Sequence, residues 1–200
     1  GETGGSRGAS HTVKLSTSGT ALTPHAAVLL TPTDNTYVRD GSYASTNYGG
    51  RSTMVVKSAS SGYDRVSLLK FDTSAITGTV TRAVLWLNGY VADSAGSMTT
   101  VTAYSLGSGV WSEATVTWST APASRTAYGT GPLSNTADWV GLDVTGLVQA
   151  AVGGVTAIGV SQAPAGLAAI LATSHGAAGT APVLEVVPRQ GPAEQGRPLS

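Results

Sequence analysis

The sequence has no cysteine and few charged side chains. Without cysteine, neither a disulfide framework nor a thiolate metal site is possible. No apolar run approaches the roughly 18 residues that a membrane-spanning helix needs, so we expect no membrane insertion. No signal peptide is visible, and lysine is rare in a chain rich in threonine, serine and glycine. We therefore expect a mature piece of a longer, secreted (extracellular) protein.

Long runs of helix-forming residues are also missing, whereas the chain holds 26 glycines and 9 prolines. Short runs of valine, leucine, threonine and tyrosine alternate with Gly, Asn-Gly and Ser-Gly turns. This predicts an all-β protein, an antiparallel β-sandwich of the jelly-roll type. At most one short helix is expected, over residues 145–152, which Asp143 or Thr145 could cap. Strands are predicted over residues 27–30, 36–38, 53–58, 66–72, 82–91, 100–106, 115–118, 140–144, 156–161, 168–173 and 183–187.

Both ends of the chain lack the periodicity of the middle. Residues 1–26 are rich in Gly, Ser and Thr and are predicted to be a linker or cloning remnant. Residues 189–200 follow the last predicted strand and are predicted to be a C-terminal linker. The β-sandwich is then expected to span residues 27–188, as one domain.

The net charge of zero conceals an uneven distribution. Of seven Lys and Arg residues between positions 27 and 188, five lie between Arg39 and Lys70. From position 73 to 188, two Arg stand against five Asp and Glu. The positive zone is therefore local, and it is too small for a nucleic-acid-binding surface on a body of net negative charge.

Within residues 34–72 the cations are interleaved with tyrosines in Gly-, Asn- and Ser-rich loops. Arginine offers a planar fork that matches carboxylate or sulfate, and lysine offers a point charge. This predicts binding of an anionic polysaccharide, with the tyrosines stacking on sugar rings. The alternative is that Arg65 and Lys70 pair with Asp40, Asp64 or Asp72 and only hold strands together. The candidate ligand-binding residues are Arg39, Tyr43, Tyr48, Arg51, Lys57, Tyr63, Arg65 and Lys70.

A hairpin is expected between residues 53–58 and 66–72. Alternation then places Lys57 and Lys70 on one face.

A structural calcium site is a further hypothesis. Asp34, Asn35, Asp40 and Asn47 supply the hard oxygen ligands that Ca²⁺ prefers, and Asp72 or Asp143 could add another. No EF-hand spacing is present. The alternative is ordinary turn chemistry, since turns use the same residue types.

The tryptophans are expected to have structural roles. Trp86 stands between Leu85 and Leu87 and is predicted to lie in the core. Trp111 and Trp118 are predicted to pack under a loop that Glu113 fixes, and Trp139 is ambiguous.

Catalysis has little support in the residues. His175 is the one histidine between positions 27 and 188, and its neighbour Ser174 would point to the opposite face of a strand. No pair of carboxylates is marked out for glycoside hydrolysis. We therefore expect no enzyme.

Motifs distributed over the whole body resemble those of the DNRLRE-type domain, which overlaps carbohydrate-binding module family 96. They are NTYVRDGSYASTNYG (35–49), STMVVK (52–57), YDRVSLLKFD (63–72), TRAVLWL (81–87), VWSEATVTWSTAP (110–122), LDVTGLVQAAVGG (142–154) and PVLEVV (182–187). The resemblance implies a secreted bacterial jelly-roll module, of a kind often appended to polysaccharide-degrading enzymes. Two departures stand out: Asn35 replaces the family's Asp, and Ser174-His175-Gly176 replaces its Ser-Arg-Glu.

Together these observations predict a non-catalytic module that targets a secreted multidomain protein to an acidic polysaccharide, alginate-like or another uronate or sulfated chain. Its partners would be that polysaccharide and appended catalytic or surface domains. Two alternatives stay open: a structural or adhesive spacer of a bacterial surface protein, and a polysaccharide lyase in which Arg65 neutralises charge beside Tyr63 or Tyr43.

Overall fold

The computed structural model describes residues 26–162 and 166–189. The linkers predicted at 1–26 and 189–200 lie outside this part, apart from residues 26 and 189. The strands are β1 (Val28–Leu30), β2 (Asp34–Arg39), β3 (Thr53–Val56), β4 (Arg65–Asp72), β5 (Val80–Val91), β6 (Met98–Leu106), β7 (Ser124–Ser134), β8 (Asp138–Asp143), β9 (Val155–Gln162), β10 (Ala169–Ala172) and β11 (Val183–Pro188). A 3-10 turn covers Gly41–Tyr43, and one helix, α1, covers Thr145–Ala151.

The strands form two antiparallel sheets packed as a sandwich. Sheet A has the order β1-β11-β5-β10-β3, and β8 also pairs with β5. Sheet B has the order β2-β4-β9-β6-β7. The prediction of an all-β sandwich with one short helix is confirmed, and among the described residues no helix is long and apolar enough to cross a membrane.

The main core lies between the two sheets. Leu69 and Phe71 of β4, Leu85 and Leu87 of β5, and Ile158 of β9 are all fully buried there. Their strands alternate, so every second side chain enters the core. Burying one such side chain contributes about 1.5–3 kcal/mol.

A second, smaller cluster lies on the outer face of sheet B. Val38 and Leu68 point away from the main core, and Val116 of segment 107–123 covers them. Trp111 and Trp118 of the same segment pack at its margin, as expected.

The strand predicted over residues 115–118 is wrong. This stretch is a series of turns, in which the backbone N–H groups of Thr115 and Val116 donate to the carbonyl of Ser112 at 3.1 and 2.9 Å. Its alternating apolar residues arise because the loop lies over an apolar sheet face, not because it pairs with a neighbour.

Strand β7 has no counterpart among the predicted strands. It contains Gly129, Gly131 and Pro132, which normally mark a turn. Because β7 is an edge strand of sheet B and is largely exposed, these residues are tolerated there. An exposed edge strand carries little hydrophobic alternation, so the sequence gives little sign of it.

The hairpin expected between β3 and β4 is also wrong, because β3 belongs to sheet A and β4 to sheet B. Their backbones pair at a single bridge between Lys57 and Arg65, and the Ser67 hydroxyl donates to the Val55 carbonyl at 3.1 Å. The chain therefore crosses from one sheet to the other at this point.

The short helix lies where it was predicted. Val144 occupies the N-cap position, and the carboxylate of Asp143 accepts the Thr145 N–H at 3.0 Å and its hydroxyl at 2.7 Å. These hydrogen bonds lower the pKa of Asp143.

Candidate functional site

Arg39, at the end of β2, lies between two exposed tyrosines. Its guanidinium carbon is 3.8 Å from the ring centroid of Tyr43 and 5.9 Å from that of Tyr63. Tyr43 is 41% exposed and Tyr63 is 54% exposed. A cation at such distances from aromatic faces is stabilised by the ring quadrupoles. Both rings still present much of their surface to solvent.

Asp40 clamps together the two loops that carry these tyrosines. Its carboxylate accepts the backbone N–H of Gly62 at 2.7 Å and that of Asp64 at 2.9 Å. Gly41 has a φ of +67°, and a Cβ there would lie 2.6 Å from the Cα of Gly62. The close approach therefore requires glycine.

A second aromatic pair supports Arg51. The rings of Tyr37 and Tyr48 are stacked with centroids 4.2 Å apart, and the Arg51 guanidinium carbon lies 4.9 Å from the Tyr48 centroid. Both tyrosines are buried. Tyr48 is therefore a support for Arg51, and its ring is too enclosed to stack on a sugar.

Strand pairing and ring stacking place three arginines around the Tyr37–Tyr48 pair. Arg39 lies directly opposite Arg65 in the β2–β4 register, two residues along β2 from Tyr37. Arg51 lies over the Tyr48 ring, which stacks on Tyr37. These arginines, spread over 27 positions of the sequence, therefore lie in one region of the surface. Burial raises the pKa of Tyr37, as does Tyr48, whereas the positive charges of Arg51, Arg65 and Arg39 lower it.

None of the three arginines forms an ion pair with a carboxylate of the described residues. Arg65 donates from Nη1 to the Tyr63 carbonyl at 3.2 Å. The Nε of Arg39 is buried and has no hydrogen-bond partner within residues 26–162 and 166–189. Their positive charge is therefore available to an anion. We call the set Arg39, Arg51, Arg65, Tyr43 and Tyr63 the arginine site.

The two lysines predicted for the same role are both paired with carboxylates. Lys57 lies 3.7 Å from the carboxylate of Asp93, and Lys70 lies 3.5 Å from that of Asp34. Lys70 also donates to the carbonyl of Trp111 and lies 4.9 Å from its ring centroid. The alternative of a structural ion pair therefore matches Lys70, with a partner other than those expected, and does not match Arg65.

Glu113 is the centre of a network that includes several predicted calcium ligands. Its carboxylate accepts the N–H of Asn35 at 2.8 Å, and its own N–H donates to Asp34 at 2.9 Å. The Asn47 amide donates to the Glu113 carbonyl at 2.8 Å. His175 Nε2 lies 2.8 Å from the other Glu113 oxygen. Glu113 thus fixes its loop, as expected.

The four predicted calcium ligands do not converge. Asp40 belongs to the loop clamp, and the side-chain oxygens of Asp34, Asn35 and Asn47 accept backbone N–H groups. No group of three His, Asp or Glu side chains that could hold a metal occurs in the described part of the chain. This donor set suits the turn-chemistry alternative better than a calcium site, which stays a hypothesis.

Ser174 and His175 do not form a catalytic couple. The Ser174 hydroxyl accepts from the Asn35 amide at 2.8 Å, whereas the His175 ring turns to Glu113. His175 thus contacts the carboxylate of Glu113 and not the hydroxyl of its neighbour.

The prediction that Trp86 lies in the core is wrong. Leu85 and Leu87 enter the core, so the residue between them points outward, and Trp86 is only partly buried. The alternation of β5 was the signal that would have placed it correctly. Trp139 of β8 is 41% exposed on the same sheet.

Comparison with known protein families gives one match. The family model described as carbohydrate-binding module family 96 matches residues 26–188, which include every element described above. No curated protein matches the chain in sequence.

Proposed function

The chain belongs to carbohydrate-binding module family 96, and from this premise we propose that it binds an acidic polysaccharide through the arginine site. The module is non-catalytic in this proposal and targets a secreted bacterial protein, with appended catalytic or surface domains, to a uronate or sulfated chain. The observation that carries the proposal is a group of arginines without a carboxylate partner among the described residues. Arg39 lies opposite Arg65 in the β2–β4 register, and Arg51 lies over the stacked Tyr37 and Tyr48 rings.

The chemistry of the site favours an anion over a neutral sugar. Arginine forks bind carboxylate and sulfate with two parallel hydrogen bonds, which are stronger than neutral ones. None of the three arginines is paired with a carboxylate within the described residues, so their forks can serve an external anion. Tyr43 and Tyr63 lie near the Arg39 guanidinium, are partly exposed and offer apolar ring faces to the C–H groups of a sugar.

The proposal is tested by affinity gel electrophoresis of the 200-residue chain in gels containing alginate, polygalacturonate or chondroitin sulfate, over a series of salt concentrations. We expect retardation that weakens as salt rises, because exposed charges are screened. Arg39→Ala, Arg51→Ala and Arg65→Ala should each reduce it. Arg125→Ala is the matched control, since Arg125 is an exposed arginine on β7, away from the site.

Retardation by none of these polymers, or equal retardation in the three site variants, contradicts the proposal and favours a spacer role. A lyase would instead release unsaturated uronates, detected by their ultraviolet absorbance. We expect no such release.

A further inference from the structure

The outer face of sheet A carries a second group of aromatic side chains. Trp86 of β5 lies opposite Gly141 on β8 and Val183 on β11. Trp139 lies opposite Asn88, one diagonal step from Trp86. Diagonal neighbours on one sheet face lie about 7–8 Å apart, within reach of large aromatic rings. The two tryptophans are therefore adjacent.

The ring of Trp86 is held down against the sheet. A Cβ at Gly141 would lie 2.8 Å from Cζ3 and 3.0 Å from Cη2 of this ring, so the ring occupies the space that a side chain would need. Its Nε1 donates to the Glu185 carboxylate at 3.1 Å, which fixes the ring within its plane. Glu185 is in turn 3.9 Å from Arg82. The indole ring of Trp86 is thus held in one orientation on the outer face of sheet A.

Two shallow depressions meet at Trp139. One has a volume of 390 Å³ and is lined by Leu29, Trp86, Trp139, Val183 and Glu185. The other, of 230 Å³, runs from Trp139 past Asp138 towards the end of β7. Leu29 is 66% exposed. The two depressions share Trp139, and apolar side chains make up most of the lining of the first.

The charge on this face differs from that of the arginine site. The charged side chains that line the two depressions are both carboxylates, Asp138 and Glu185. The nearest cation described here, Arg82, is paired with Glu185. Carboxylates repel an anionic polymer but accept hydrogen bonds from sugar hydroxyls. The rim therefore suits an uncharged glycan.

We propose that Trp86 and Trp139 form a second carbohydrate-binding surface, which takes a neutral polysaccharide. Its sugar rings stack their C–H faces on the two indoles, and hydroxyls donate to Asp138 and Glu185. The indoles supply apolar area at little entropic cost, because one ring is already fixed. Membership of a carbohydrate-binding family supports a glycan, rather than a second protein, as the occupant. The inference does not depend on the arginine site.

The test is affinity electrophoresis of the full chain in gels containing mixed-linkage β-glucan, xyloglucan or galactomannan. We expect retardation in at least one gel, unchanged between low and high salt because no charge pair is involved. Trp139→Ala should weaken it by about tenfold or more, and Trp139→Phe should retain most of it. Val110→Ala, which trims an exposed apolar side chain of segment 107–123 outside both sites, is the control and should leave retardation unchanged.

Retardation by none of the three polymers overturns the inference, and so does equal weakening by Trp139→Ala and Val110→Ala. A concentration-dependent dimer that Trp139→Ala dissociates would assign this face to contact between copies of the chain and would also overturn it. Thermal melting of each variant checks folding, and Trp139→Phe keeps the test decisive if Trp139→Ala is unstable. Because acidic and neutral polymers are assayed separately, either binding proposal can fail alone.

Discussion

Arg39 shows how much of this protein's chemistry depends on single side chains. It continues a strand whose preceding residue, Val38, is buried, and its guanidinium emerges between Tyr43 and Tyr63. Nothing about an arginine followed by aspartate in sequence distinguishes this role from a surface salt bridge. The difference arises because Asp40 accepts the N–H groups of Gly62 and Asp64, so that Arg39 has no carboxylate partner within residues 26–162 and 166–189.

Replacement of Arg39 should separate charge from geometry. We expect Arg39→Ala to weaken binding of an acidic polysaccharide by about tenfold or more, since hydrogen bonds to charged groups contribute about 1.5–3 kcal/mol. Arg39→Lys keeps the charge but loses the planar, forked guanidinium, so its affinity should lie between those of Arg39→Ala and the parent chain. Isothermal titration with alginate oligosaccharides measures both. Full recovery with lysine would show that charge alone matters.

Tyr37 should make stability depend on alkaline pH. Burial raises its pKa above the ordinary value of 10.0, despite the three arginines. The folded state therefore holds the proton more tightly than the unfolded state. Its contribution is complete below about pH 10 and is lost as pH rises through the folded-state pKa.

We expect the free energy of unfolding to decline less steeply in Tyr37→Phe than in the parent chain over about pH 9–11.5. Urea unfolding at stepped pH values measures the slope. Tyr90→Phe, an exposed tyrosine on β5, is the matched control and should match the parent. Identical slopes in all three proteins would contradict the prediction.

At the scale of elements, the residue pattern predicted where most strands lie but not which strands pair with each other. The runs around Leu68 and Leu85 could be placed as strands from their residues, because they are short and rich in valine, leucine and aromatic side chains. Edge strand β7 could not, since exposed backbone pairing needs no apolar side chains. The sheet to which β3 belongs was equally hidden, because it depends on a partner, β10, that lies more than 100 residues away.

The two loops at the arginine site form one unit, and Asp40 should be its weak point. We expect Asp40→Ala to destabilise the fold by about 1–3 kcal/mol, because removal of the buried carboxylate leaves the N–H groups of Gly62 and Asp64 without an acceptor. Chemical denaturation measures this loss. Asp72→Ala, which changes an exposed aspartate, should cost less.

Acidic-polysaccharide binding should also weaken in Asp40→Ala at temperatures where the variant is folded, since Tyr63 loses its fixed position. Unchanged binding in a folded variant would mean that the loops do not need the clamp.

At the scale of the whole molecule, the Glu113 network ties together segments that are distant in sequence. Glu113 lies in segment 107–123 and contacts both β2 and the turn after β10. Its carboxylate accepts the Asn35 N–H and contacts His175, and its own N–H donates to Asp34. Asn35, which stands where the family has Asp, is buried here and donates twice to Glu113. Hydrogen bonds from Asn35 and a contact with His175 therefore hold these three segments together.

Calcium provides a test of this network. Because the oxygens of Asp34, Asn35 and Asn47 already accept N–H groups, we expect neither calcium nor a chelator to change the melting temperature. Glu113→Ala should lower it in both conditions, and Glu113→Gln, which keeps an acceptor, should lower it less. Differential scanning calorimetry measures all three. A rise in the melting temperature with calcium, lost on chelation, would establish the metal site.

The sequence by itself determined the all-β class, the short helix, the family and the segment in which the free cations lie. These properties follow from local composition, alternation and contiguous motifs. Only the tertiary structure decided which cations are paired. Lys57 and Lys70 meet carboxylates, whereas Arg39, Arg51 and Arg65 form no ion pair among the described residues. The tertiary structure also places Trp86 on the outer face of sheet A beside Trp139. The sequence could not determine these roles, since a charge or a ring acquires its role from neighbours that strand pairing brings together across long stretches of chain.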